Sequence, residues 1–189
     1  RYLKGFARIF KKENLHGVDV DTTAIQVPDE EGFQVKALDP NKAVLPYPDA
    51  HFDFFFSSNV IEHIPYDLYL TYVKEISRVL KTGGTRFVCA PNYPFKRLYD
   101  MKTALFAKGN ERSCYFFHDP THINCQNVLK VEKEFKAHFS KTDFFATQLF
   151  FDRYLRFLRK PFFQRKARFF SNKFIGICHT YNSYKSTTS

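Results

Sequence analysis

The sequence predicts an α/β domain whose sheet is mostly parallel and carries helices on both faces. Short apolar runs closed by acids alternate with segments of helical period, the pattern of strands joined by crossover helices. The run Phe52-Asp53-Phe54-Phe55-Phe56 is apolar enough for a central strand covered on both faces. Between it and the next strand lies a segment with one clear apolar face, closed by Gly83-Gly84.

From the N-terminus, Leu3, Phe6, Ala7 and Phe10 fall at helical spacing ahead of the basic pair Lys11-Lys12. Leu15 to Asp21 reads as a short strand ending in acids, and a brief helix from Thr23 is expected to stop early at Pro28. Phe33 to Leu38 is a second strand, closed by Asp39-Pro40, and a loop with Pro46 and Pro48 leads to the Phe52 strand. Asp67 is the expected cap of the next helix, whose inner face is Tyr69, Tyr72, Val73, Ile76 and Leu80. Arg86 to Ala90 is the following strand. Then His118 to Asn127 reads as a polar loop, and Val128, Val131, Phe135 and Phe139 as a helix. Phe144 to Phe150 and Phe174 to His179 read as two late strands forming a hairpin-like pair at the sheet edge.

The 189 residues suit one domain, 1–189, with an ordinary soluble composition of 44% hydrophobic and 25% charged residues. No run has the length of a membrane span and none reads as a signal peptide. Cys89, Cys114, Cys125 and Cys178 form no C-x-x-C pair, which points to reduced thiols and a cytoplasmic setting. The net charge of +10 favours acidic ligands or surfaces without choosing among them.

Several segments carry chemistry in a fixed order. Gly17-Val18-Asp19 ends the first strand in an acid. Leu38-Asp39 ends the second and is followed by Leu45-Pro46-Tyr47. Phe52-Asp53 leads to Ser57-Ser58-Asn59-Val60-Ile61-Glu62-His63-Ile64, and Gly83-Gly84 precedes a strand that closes on Ala90-Pro91-Asn92-Tyr93. A strand-terminal acid alone also occurs in NAD-binding folds. Together these segments resemble the class I S-adenosylmethionine-dependent methyltransferases, in particular bacterial members that modify small molecules or glycans. The resemblance is close over residues 1–93 and loose beyond.

That resemblance implies a Rossmann-like domain with S-adenosylmethionine as cofactor. It makes 1–93 the cofactor-binding part and 94–189 the acceptor-side and C-terminal part. Asp19 would hold the two ribose hydroxyls, since one carboxylate accepts both hydrogens. Asp39, with Leu38 beside it, would meet the adenine amino group, and Ser57, Ser58 and Asn59 would face the sulfonium. The family's first strand and its glycine-rich loop have no counterpart from Arg1 onward, so the sheet is expected to be incomplete at its N-terminal end and the chain to be a fragment.

An oxygen acceptor needs a base near its hydroxyl. His63, directly after the cofactor-facing loop, is the catalytic candidate, and it could equally be a helix-start histidine that packs. Glu62 is expected to orient the loop. His118-Asp119-Pro120-Thr121-His122 resembles a stretch that lines the acceptor side in glycan-modifying relatives, which makes Tyr93, Asp119 and His122 substrate-binding candidates. Asp119 could instead form an Asx turn before Pro120. Cys114, His118, His122 and Cys125 have zinc-ligand chemistry, but their spacing matches no usual ligand pair, and no metal is expected.

Residues 153–173 hold eight basic residues and no acid, interleaved with Phe and Leu. The segment reads as a lid helix or as an element lying on an anionic membrane surface, with nucleic acid not expected. The function these features imply is methyl transfer from S-adenosylmethionine to an oxygen of a small molecule or saccharide. The rivals are a non-catalytic module of the same fold and a nucleic-acid-binding protein using the basic segment.

Overall fold

A computed structural model describes residues 2–106, 119–149 and 171–180 of the chain. They fall in two compact units divided between Pro48 and Asp49. Among the described residues no helix is long and apolar enough to cross a membrane.

The first unit opens with α1 (Tyr2–Phe6), shorter than the apolar spacing predicts. Strand β1 (His16–Asp19) pairs in parallel with β2 (Gln34–Ala37), Asp19 opposite Ala37. Helix α2 (Thr22–Glu30) crosses between them. Asp21 starts α2 as an N-cap does, its Oδ1 accepting from the Thr23 N–H at 2.9 Å and hydroxyl at 2.7 Å. Those bonds, the hydroxyl's first, hold the Asp21 carboxyl below its ordinary range. Pro28 does not end the helix as expected; it stands in the last turn, and only one bond, to the carbonyl four residues earlier, is lost to its missing donor. Gly32, at φ 77°, then turns the chain out, and its N–H donates to the Asp29 carbonyl.

The second unit is built on one four-stranded sheet. Its strands are β3 (Phe52–Ser58), β4 (Leu80–Pro91), β5 (Lys141–Leu149) and β6 (Ser171–His179), in the order β3-β4-β6-β5. The β3–β4 pairing is parallel, and both pairings of β6 are antiparallel. The α/β class is therefore as predicted, with parallel pairing among the first four strands and antiparallel pairing confined to the last two. Those two pair at the edge of the sheet as expected, with β6 between β4 and β5. The phenylalanine run of β3 lies at the edge of this sheet, and Phe54 is 45% exposed instead of doubly covered.

Helix α3 (Tyr66–Val79) joins β3 to β4, with Tyr69, Tyr72, Val73 and Ile76 buried as the pattern requires. Pro65 precedes it and supplies no side-chain cap. Asp67 lies inside the first turn, where a carboxylate meets the helix's positive end. The helix yields to β4 at Leu80, before Gly83-Gly84, so the glycines shape the strand rather than stop the helix. Helix α4 (Phe95–Phe106), which has no clear apolar stripe in the sequence, follows β4. The polar loop is confirmed over Asp119–Asn127, and α5 (Val128–Lys136) follows it, capped by the Asn127 side chain, which accepts from the Lys130 N–H.

The core lies between α3, α5 and the sheet. Phe135 of α5 is wholly buried, with Phe139 5.7 Å and Phe144 5.8 Å away between ring centroids. Arg86 of β4 is also wholly buried, its guanidinium 4.1 Å from the Phe135 ring and 5.6 Å from that of Tyr72. Gly176 faces Val88 on one side and Phe144 on the other. A methyl there would lie 2.5 Å from Phe144 Cε1 and 2.9 Å from Val88 Cγ1. Gly176→Ala is therefore expected to cost about 1–3 kcal/mol of stability, read from the denaturant midpoint, despite alanine's better strand propensity.

Candidate active site

The candidate residues of the strand ends lie at the carboxyl ends of parallel strands, where open α/β sheets present their ligand crevices. In the first unit these are Asp19 and Asp39. Asp19 closes β1, is exposed, and accepts from the Asp21 N–H at 3.1 Å. Its backbone carbonyl accepts from the Leu38 N–H at 2.8 Å, which ties the two strand ends together. Asp39 accepts from the Asn41 N–H at 2.9 Å and lies 3.5 Å from Lys42 Nζ. The Asn41 bond, aided by Lys42, holds its carboxyl below the ordinary range, so it stays an ionised acceptor. Exposed carboxylates on adjacent parallel strand ends fit a ligand that offers a diol and an amino group.

In the second unit, β3 ends at Ser57 and Ser58, Ser57 being buried. Asn59 follows at φ 53°, a left-handed turn that asparagine tolerates, and its N–H donates to the Cys89 carbonyl at 2.8 Å. A single 3₁₀ turn, Ile61–His63, then places Glu62 inward and His63 outward. The loop 119–127 folds over this turn. Asn124 holds it there, its N–H donating to the Glu62 carbonyl at 3.0 Å and its Nδ2 to the Ile61 carbonyl at 3.2 Å. The far end is fixed by Asn92, whose Nδ2 donates to the Ser171 carbonyl and whose Oδ1 accepts from the Val128 N–H.

These constraints bring together residues distant in sequence. His63 Nδ1 lies 2.9 Å from the Thr121 carbonyl oxygen, so it carries the proton and the Nε2 lone pair remains. The His63 and His122 rings meet edge to face at 4.9 Å. His122 Nδ1 is 2.5 Å from the Tyr93 hydroxyl, and its Nε2 is 3.7 Å from Asp119 Oδ2. Burial pushes the Tyr93 phenol up, so it stays protonated. Burial opposes ionisation of Asp119, yet the Thr121 hydroxyl and N–H hold its carboxyl low. Asp119 thus forms the Asx turn and also faces His122.

Glu62 is the member whose part the sequence understates. Its side chain is 2% exposed, and neither carboxylate oxygen finds a hydrogen-bond partner in another described residue. Burial drives its carboxyl above the ordinary range, only partly offset by its own backbone N–H and by the charges of His63, Lys173 and Lys96. The signal was its place in the apolar run Val60-Ile61-Glu62-His63-Ile64. Asn124 carried no signal at all. Of the cysteine–histidine pattern, Cys114 and His118 lie outside the described residues, and Cys125 donates its thiol hydrogen to the His122 carbonyl. Of the basic segment 153–173, only Ser171 to Lys173 is described, as part of β6.

Comparison with known proteins bears on the fold and on the first half of the sequence. Residues 1–88, a little under half of the chain, match the family described as "Methyltransferase domain". A Mycobacterium tuberculosis protein named "Probable S-adenosylmethionine-dependent methyltransferase" is 37% identical over 75 residues, which are 40% of this chain and 27% of the relative. The chain thus matches about a quarter of that relative's length. Among solved structures, a SAM-dependent methyltransferase from Archaeoglobus fulgidus superposes with a TM-score of 0.62 at 16% identity, covering 94% of this chain and 82% of its own. A [4+2]-cyclase superposes with a TM-score of 0.56 at 15% identity, covering 95% and 71%. The fold is therefore one shared with S-adenosylmethionine-dependent methyltransferases, the sequence match to a methyltransferase domain lies in residues 1–88, and the relatives' names point to S-adenosylmethionine as the cofactor.

Proposed function

We propose that the protein transfers a methyl group from S-adenosylmethionine to an oxygen of a small molecule or saccharide. Since the same fold also carries a cyclase, the reading rests on the site and not on the fold. The observation that carries it is the cluster of His63, His122, Tyr93, Asp119 and Glu62 at the carboxyl edge of β3 and β4, directly after the Ser57-Ser58-Asn59 turn.

When bound, S-adenosylmethionine supplies a methyl group already made electrophilic by its sulfonium. The protein's residues then mainly bind, align and manage one proton. Asp19 accepts from the ribose hydroxyls and Asp39 from the adenine amino group. Leu38, Ser57, Ser58 and Asn59 complete the cofactor side. Tyr93, Asp119 and His122 offer donors and acceptors in one layer, which suits an acceptor rich in hydroxyls. His63 is exposed, and with its Nδ1 on the Thr121 carbonyl its Nε2 would take the hydroxyl proton. The basic segment 153–173 would hold the protein to an anionic membrane surface if the acceptor is lipid-linked.

The test is turnover of methyl-labelled S-adenosylmethionine by the full-length protein against a panel of saccharides and small hydroxylic compounds. Labelled methyl ethers with matching S-adenosylhomocysteine are the expected products. Label on nitrogen or carbon, or no transfer to any member while cofactor binds, would contradict the reading.

A further inference from the structure

We propose that Glu62, His63 and His122 form a binding site for a divalent first-row transition-metal ion. One donor atom from each lies within 4.8 Å of the others. Ligands sharing one tetrahedral ion stand about 3.4 Å apart, given metal–ligand bonds of about 2.1 Å. Binding an ion would therefore draw the donor atoms together by up to about 1.4 Å. Two imidazoles and one carboxylate suit zinc, manganese, iron or cobalt, and suit calcium or magnesium poorly.

Glu62 supplies an independent observation. A carboxylate sealed from water, with no partner for either oxygen in another described residue, is a costly arrangement that an ion would relieve. The surroundings are those of a metal site as well. The Thr121 carbonyl on His63 Nδ1 and the Tyr93 hydroxyl on His122 Nδ1 fix both rings, as outer partners of ligating histidines do. The Asp119 carboxylate adds negative charge beside His122, against the opposing charges of Lys96 and Lys173. Three protein ligands with an exposed His63 leave coordination positions open to solvent or substrate.

The inference rests on the proposed function only for what the ion would do. An acceptor hydroxyl reaching an open position would be acidified by the ion and would release its proton to solvent. That role would replace direct proton removal by His63, because both use the same Nε2 lone pair.

The test is metal binding by the full-length protein, stripped with a chelator and titrated with Co(II), Mn(II) or Zn(II). Metal content after dialysis and the visible spectrum of the Co(II) form are read alongside S-adenosylmethionine affinity on the same samples. One ion per chain is expected, with Tyr93→Phe weakening it about 10-fold or more. Glu62→Gln should lose the ion while keeping its fold, since it removes a buried charge without changing the side chain's shape. A folded, stripped protein that takes up no ion overturns the inference, as does a Glu62→Gln variant that binds as tightly as wild type. Either result can coexist with intact S-adenosylmethionine binding, so failure here is separable from failure of the proposed function.

Discussion

His63→Ala in the full-length protein is expected to lower kcat about 10²- to 10⁴-fold while leaving S-adenosylmethionine affinity unchanged. The imidazole sits on the outward side of the 3₁₀ turn, its Nδ1 held by the Thr121 carbonyl. Its removal deletes the group that takes or acidifies the acceptor's proton and leaves the strand-end acids of the first unit intact. Exposed and held by one hydrogen bond to a carbonyl, His63 contributes little to the core, so the variant should unfold at the wild-type denaturant concentration. Proton transfer in the transition state is the step affected, and kcat should therefore fall without a matching rise in KM. Steady-state kinetics with cofactor titration separates the outcomes. Unchanged turnover would remove His63 from the mechanism, and lost cofactor affinity would mean that the turn positions S-adenosylmethionine instead.

Phe135→Ala is expected to cost about 3–5 kcal/mol of stability, the range for emptying an aromatic site in a packed core. Phe135 is fully buried and meets Phe139, Phe144 and the Arg86 guanidinium at close range. Truncation would open a cavity and also take the aromatic face from a buried cation. Desolvation already lowers the Arg86 pKa, a sign of how poorly that charge is solvated. The loss should therefore lie toward the upper end of the range, and Phe135→Leu, which keeps most of the volume, should lose less. Denaturant unfolding of both variants provides the measurement. A loss below about 1 kcal/mol for alanine would show that the site collapses around the gap.

Much of this architecture was legible in the chain because periodicity and turn chemistry act locally. The one-sided stripe of α3, the apolar spacing of α5 and the acids closing β1 and β2 all appear where the residue pattern puts them. Misreadings arose where tertiary placement overrides local preference. The phenylalanines of β3 signal a buried strand, but neighbours decide which face is covered. Pro28 signals a stop, yet a proline in a helix's last turn displaces little. The insertion of β6 between β4 and β5 depends on pairings between residues roughly 90 apart in sequence, and no local signal encodes it. At the site, residue types identified His63, Tyr93, Asp119 and His122 as chemically able. Only the fold of the 119–127 loop shows that they meet, and only burial shows that Glu62 stands beneath them.

The central claim is that this chain holds S-adenosylmethionine through the acids that end its first two strands. Calorimetric titration of the full-length protein and its Asp19→Ala variant tests it most directly. Losing a charge-assisted hydrogen-bond acceptor should weaken binding by about 1.5–3 kcal/mol, or about 10- to 150-fold. The Asp19 side chain is exposed and accepts from the Asp21 N–H of its own turn, so the variant should fold normally and the loss should be specific to the cofactor. Equal affinity in the two proteins, or no binding by the wild type, would contradict the claim.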